Sequence, residues 1–149
     1  MGTQQALSRE QLLKEFGAAY ERLIARAQEV KSDLKGPRPW GARDIVAHLA
    51  GWELMAGVRI PHIVAGMAPL EEEDPKRADV MNDAINAAFT GLTVDEDLNR
   101  LCGVLRQAYQ RTVELLKRLD DRFFQPGDYI YQRTKGVIEH CEEHLEMLE

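Results

Sequence analysis

Apolar positions recur three and four residues apart along almost the whole chain, which is the spacing of amphipathic helices rather than the alternation of strands. Leu12, Leu13, Phe16, Tyr20, Leu23, Ile24, Ala27 and Val30 form the first such stripe. It opens near Ser8, with Gln11 three residues on as the reciprocal partner of a capping box. Lys35-Gly36-Pro37-Arg38-Pro39 ends it, because proline disfavours the helical state in the residue before it. A second stripe follows Trp40-Gly41, with Ile45, His48, Leu49, Trp52 and Met55 on one face. Pro61 is expected to kink or end this helix. A loop is expected from about Gly66 to Pro75, then a shorter helix from about Lys76 to Phe89 that stops at Gly91. Thr93-Val94-Asp95-Glu96 reads as a capping box. It opens a long helix carrying Leu98, Leu101, Cys102, Leu105, Tyr109, Thr112, Leu116 and Leu119. Pro126-Gly127-Asp128 breaks that helix, and Asp128 is placed to cap a last one whose stripe is Val137, Ile138, Cys141, Leu145 and Leu148.

This pattern predicts an all-α fold. Its four long amphipathic helices predict a four-helix bundle, with a long crossover and a short extra helix between the second and third. The 149 residues, 44% of them apolar, suit a single domain spanning 1–149. A formal charge of −6 and the absence of a basic stripe argue against nucleic-acid binding. Glu71-Glu72-Glu73-Asp74 reads as a solvated loop, since it lacks the spaced oxygens and central glycine of a calcium loop. Two cysteines, Cys102 and Cys141, are too few for a disulfide framework and are expected to be reduced core residues. No apolar run approaches the ~18 residues of a membrane span and no leader is visible, so a cytoplasmic protein without membrane contact is expected. An exposed apolar stripe on one helix would support a homodimer.

The candidate chemistry lies in the histidines. His140 and His144 stand four apart and share one helix face. At ~100° per residue, with the last stripe centred on Cys141, His144 lies ~60° and His140 ~100° from that centre, so the pair flanks the core. Ile45, Trp52 and Met55 fall within ~60° of His48 by the same arithmetic, which turns His48 inward. An inward histidine must hydrogen-bond, stay neutral or bind a metal. Three imidazoles from two helices would hold a divalent ion and leave positions open for water or a thiol. The opposing reading is a satisfied core histidine beside a solvated pair. His62, beyond the proline, has no partner and is set aside.

His140-Cys141-Glu142-Glu143-His144 fits the pattern of inverted zinc peptidases, but those need a downstream glutamate ligand and only five residues follow His144. Cys141 is an alternative ligand, though its central place on the stripe favours packing. Asp44 suits either the helix dipole or the role of acceptor for the His48 ring. Trp52 reads as core or as the wall of a pocket, and Glu53 as the partner of a cation. Tyr129 and Tyr131 read first as packing residues that could border the cavity. Ser8 and Ser32, the only serines, sit in no nucleophile context.

Trp40-Gly41-Ala42-Arg43-Asp44-Ile45-Val46-Ala47-His48-Leu49-Ala50-Gly51-Trp52-Glu53 resembles the W-x-x-x-D-x-x-x-H-L-x-x-W-E opening of the second helix in the DinB-like superfamily of metal-binding four-helix bundles. His140-x-x-x-His144 is similar to the closing histidine pair of that superfamily. Asp79-Val80-Met81-Asn82-Asp83-Ala84 and Thr93-Val94-Asp95-Glu96 are similar to the region before the third long helix in its DfsB/ClbS-type branch. Cys141 departs from that branch, which often shows tyrosine there. The resemblance implies His48, His140 and His144 as ligands of zinc, nickel or a similar ion. It also implies kinship with thiol-dependent transferases, with a mycothiol-dependent maleylpyruvate isomerase and with self-protection proteins that open reactive electrophiles.

The expected function is a divalent-metal-dependent enzyme of thiol-dependent transferase or hydrolase type. It would act on a small electrophilic or thiol-conjugated molecule, with a low-molecular-weight thiol as a further cofactor. The alternatives are a non-catalytic bundle that sequesters a metal or small ligand, and a structural bundle without metal.

Overall fold

The computed structural model describes residues 6–30, 41–93 and 95–148. The fold is all-α, with no strand among the described residues. Six helices follow in order: α1 (Arg9–Val30), α2 (Ala42–Val64), α3 (Leu70–Glu73), α4 (Pro75–Leu92), α5 (Leu98–Lys117) and α6 (Tyr129–Met147). A 3₁₀ turn at Asp121–Phe124, which the hydrophobic pattern does not signal, lies between α5 and α6. The break at 35–39, Ser32, Trp40 and Val94 lie outside the described residues.

The capping box at the start of α1 forms as the sequence predicts. The Gln11 backbone N–H donates to Ser8 Oγ, and the Ser8 N–H donates to Gln11 Oε1, both at 3.2 Å. From there Leu12, Phe16, Tyr20, Leu23, Ile24 and Ala27 are buried, every third or fourth residue turned to the same side. The two main contacts of the core join α2 to α5 and α1 to α6, and α1 also packs on α5. Leu101, Leu105, Ala108, Thr112 and Leu116 give α5 its buried face. Phe16 meets Tyr20 edge-on at 5.2 Å, and Tyr20 stacks on Tyr109 at 5.3 Å. Cys102 and Cys141 are free and buried in this core.

The structure corrects three boundary expectations and narrows a fourth. Pro61 does not end α2, which runs on to Val64. The Gly57 carbonyl loses its helical donor there, but Gly57 is exposed and water can serve it. The helix stops instead at Gly66, whose φ of 93° suits only a residue without a side chain. The Met67 N–H reaches back to the His62 carbonyl at 3.0 Å across that turn.

The acidic run is not a loop. Leu70–Glu73 forms a single helical turn, and Asp74 then caps α4 by accepting from the Arg77 N–H. Gly91 does not stop α4, which ends at Leu92. Thr93 opens no helix, because its hydroxyl donates backward to the Phe89 carbonyl; α5 begins at Leu98 behind Asp97. Asp128 does stand at the N-cap of α6, but its carboxylate turns away to accept from the Gln125 N–H.

No helix among the described residues is long and apolar enough to cross a membrane.

Candidate metal centre

The helical arithmetic that turns His48 inward holds. His48 is 6% exposed on α2 and His144 is 4% exposed on α6, with His140 half-buried one turn before it. One ring nitrogen from each of the three lies within 4.8 Å of the other two. The His48 ring centre stands 5.3 Å from that of His140 and 5.2 Å from that of His144. Among the described residues this is the one group of three histidine, cysteine or carboxylate side chains close enough to hold an ion. His62 lies exposed in the last turn of α2 and takes no part.

Two further contacts bear on which ring nitrogen of His48 carries the proton. Asn86 Oδ1, on α4, lies 2.7 Å from the Trp52 indole nitrogen and 2.6 Å from His48 Nδ1. An indole N–H can only donate, so the atom it meets is the amide oxygen and not the amide nitrogen. That oxygen only accepts, so its 2.6 Å contact assigns the ring proton to His48 Nδ1 over the longer 3.1 Å approach of the Trp52 indole to the same nitrogen. This is the carbonyl–histidine support found behind metal-ligating imidazoles. Asp44, the candidate for this role from sequence, does not fill it. The α4 asparagine does, and only its i,i+4 relation to Asn82 on one face of α4 hinted at a polar role.

His140 Nε2 and His144 Nε2 face each other at 2.9 Å. Two lone pairs cannot meet at that distance, so one ring donates its proton to the other. Burial lowers the proton affinity of all three rings. His48 and His144 are pushed down to about 4, and His140 is lowered in the same direction. The three rings are therefore neutral near pH 7, the state that ligates.

The donor set fits a divalent ion. A tetrahedral ion at 2.0–2.1 Å from each imidazole holds nitrogens roughly 3.3 Å apart. His140 and His144 already stand nearer than that, so an ion would replace the proton they share and spread the pair, while the longer distances, all within 4.8 Å, would have to shorten. Cys141 is not among the side chains gathered at this point. It is buried among apolar neighbours, and burial pushes its thiol up to about 12.

A cavity of about 350 Å³ opens against His140, walled by Trp52, Arg59, Tyr129 and Arg133. Trp52 is thus a wall residue with a hydrogen-bonding edge rather than core. Tyr129 borders the cavity. Tyr131 does not: it is buried, and its hydroxyl accepts from the Leu7 N–H.

Glu53 does pair with a cation, but deep in the core. At 2% exposure it accepts from Arg133 at 2.7 Å, from the Tyr20 hydroxyl at 2.6 Å and from the Thr112 hydroxyl at 2.8 Å. Burial first and Glu53 second hold the Tyr20 hydroxyl well above its usual range, so it stays a donor. Glu53 lies five residues after His48, and Arg133 seven before His140. The two contacts therefore require α2 and α6 to run antiparallel.

Compared with known protein families, curated proteins and solved structures, the chain matches none.

Proposed function

We propose that this chain is a metal-dependent enzyme of the DinB-like four-helix-bundle type, in which α1, α2, α5 and α6 form the bundle and α3 and α4 belong to the crossover. His48, His140 and His144 would hold zinc or nickel. The carrying observation is the meeting of three neutral imidazoles from two helices at the edge of an open cavity. An ion held by three nitrogens with a vacancy supplies Lewis acidity to a water or a thiol. The reaction class that suits this is transfer or hydrolysis on a small electrophile or thiol conjugate, with a low-molecular-weight thiol as co-substrate. Asn86 would orient the His48 ring, and Trp52 and Tyr129 would form the walls against which the substrate lies.

Plasma mass spectrometry on tag-free protein tests this. One ion per chain is expected after incubation with zinc or nickel, and none in His48→Ala. Absence of the ion from the wild type, or turnover by metal-free protein, overturns the reading. A second reading, a bundle that sequesters its ligand unchanged, draws on the partnering of the cavity's charged groups: Arg59 is held by Glu71 and Asn82, and Arg133 by Glu53. Stoichiometric binding of a ligand recovered without chemical change would favour it.

A further inference from the structure

The two cations of the cavity wall are answered differently. Arg133 is paired with Glu53, which is buried behind it and bound by two further donors. Arg59 is paired only at the surface. Its Nη1 donates to Glu71 at 2.9 Å, and the Glu71 side chain is 41% exposed. Glu71 sits on α3, a single turn with no buried residue. An ion pair so exposed contributes little and exchanges readily.

Arg59 itself does not depend on Glu71 for its place. Its guanidinium lies 5.0 Å from the Trp52 ring centre, and its Nη2 donates to Asn82 Oδ1 at 3.3 Å. If Glu71 swings out, Arg59 stays against the cavity with Nη1 released and Nη2 held only by the long bond to Asn82, and the cavity carries one uncompensated positive charge. The floor is built to leave room beside it. Gly136 lines the cavity in the middle of α6, where glycine weakens a helix, and a Cβ there would meet nothing within 4 Å.

We infer that this cavity takes a small organic carboxylate, and that Glu71 occupies Arg59 as an internal stand-in that the ligand's carboxylate displaces. The inference rests on the proposed function in one respect, that the cavity beside His140 is where the substrate lies. It does not require the ion. A carboxylate matches the planar fork of arginine in two parallel hydrogen bonds. The aromatic wall of Trp52 and Tyr129 suits a flat or apolar body behind that head group.

Titration calorimetry on the metal-free full chain, with phenylacetate and its neutral amide, tests this. Phenylacetate is expected to bind about tenfold more tightly than phenylacetamide. Glu71→Gln, which removes the competing charge, should tighten phenylacetate by up to about fivefold and leave the amide unchanged. That gain cannot arise from misfolding. Arg59→Met should erase the preference for the acid. Gly136→Leu should abolish binding of both compounds while the circular-dichroism melt holds or rises, since leucine suits a helix interior better than glycine. Equal affinity for acid and amide, no binding to either wild type or Glu71→Gln, or weaker binding of phenylacetate by Glu71→Gln overturns the inference. Metal content read separately, on the same proteins after incubation with zinc or nickel, distinguishes the two proposals. A preference for the acid without a bound ion sinks the metal centre alone, and a bound ion without that preference sinks this inference alone.

Discussion

Removing the Asn86 acceptor should weaken the proposed metal centre without touching any of its three histidines. In Asn86→Ala, two N–H donors lose the oxygen they share, His48 Nδ1 at 2.6 Å and the Trp52 indole at 2.7 Å. The Trp52 indole, 3.1 Å from His48 Nδ1, can then donate to that nitrogen and drive the ring proton to Nε2, the nitrogen that would ligate. Losses of such supporting contacts cost about 10–100-fold in metal affinity, or ~1.4–2.7 kcal/mol. The unmet donors should also lower the stability of the metal-free chain by ~1–3 kcal/mol, with the low end favoured because Trp52 is half-buried and water can reach it. Zinc affinity by competition with a chromophoric chelator at pH 7 reads the first quantity, and urea denaturation of metal-free protein the second. Asn86→Asp is the control. It keeps an acceptor, and a carboxylate there makes the ring a better ligand, so affinity should hold or rise. Zinc affinity in Asn86→Ala within twofold of wild type would refute the tautomer argument. Equal losses in the Ala and Asp variants would assign Asn86 to packing α4 on α2.

Three other outcomes follow from the same contacts. His48 and His144 fall from an ordinary value near 6.5 to about 4 in the folded chain, so between those values the unfolded chain binds more protons. The stability of metal-free protein should therefore be flat from these groups above pH 6.5 and fall as pH drops from 6.5 to 4, by up to ~3 kcal/mol per histidine, measured by urea midpoints across that range. Glu53→Ala strands the buried Arg133 guanidinium and the Tyr20 and Thr112 hydroxyls and should cost ~3–5 kcal/mol; a melting temperature within a few degrees of wild type would contradict this. Gly51→Ala sets a methyl group against the Phe89 ring. Overpacking of ~1–3 kcal/mol should outweigh the helix-propensity gain of ~0.5–1 kcal/mol, and zinc affinity should fall with it because the displaced α4 also carries Asn86.

What the sequence reveals and what it conceals divide along the strength of the helical period. The stripes of α1, α5 and α6 are continuous, so Leu12 to Ala27, Leu101 to Leu116 and Ile138 to Cys141 are buried where the spacing puts them. The inward turn of His48 and the facing of His140 and His144 follow from the same arithmetic. On α4 only Ala78 is buried, so no stripe orients the helix and Asn86 carries no visible address. Its role depends on which side of α4 meets α2, a tertiary fact. Thr93 shows a different kind of blindness. A threonine hydroxyl can bond forward to a new helix or backward to the carbonyl four residues earlier, and a capping-box pattern looks the same in both cases. Pro61 reads locally as a breaker, while Ile60 in the core and the Gly66 turn beyond it keep the helix going past the proline.

The triad, finally, has to be assembled by something other than its own histidines. The His140–His144 hydrogen bond joins neighbouring turns of one helix and does nothing to bring in His48, which comes from another. The α2 and α6 helices pack mainly on other partners, α5 and α1. What ties them to each other near the site is the Glu53–Arg133 pair at 2.7 Å, buried and cross-braced by Tyr20 of α1 and Thr112 of α5. One carboxylate thus receives hydrogen bonds from all three other long helices. A buried ion pair is a poor source of net stability, but it accepts one register only, because any slide of α2 along α6 would leave a charge unmatched. With that register set, five residues along α2 and seven along α6 carry the chain back to the level where His48 meets His140 and His144. Replacing Glu53 and Arg133 together by a volume-matched apolar pair should then separate the two roles: folding is expected to survive, while zinc affinity falls. Unchanged zinc affinity in that double variant would show that packing alone sets the register.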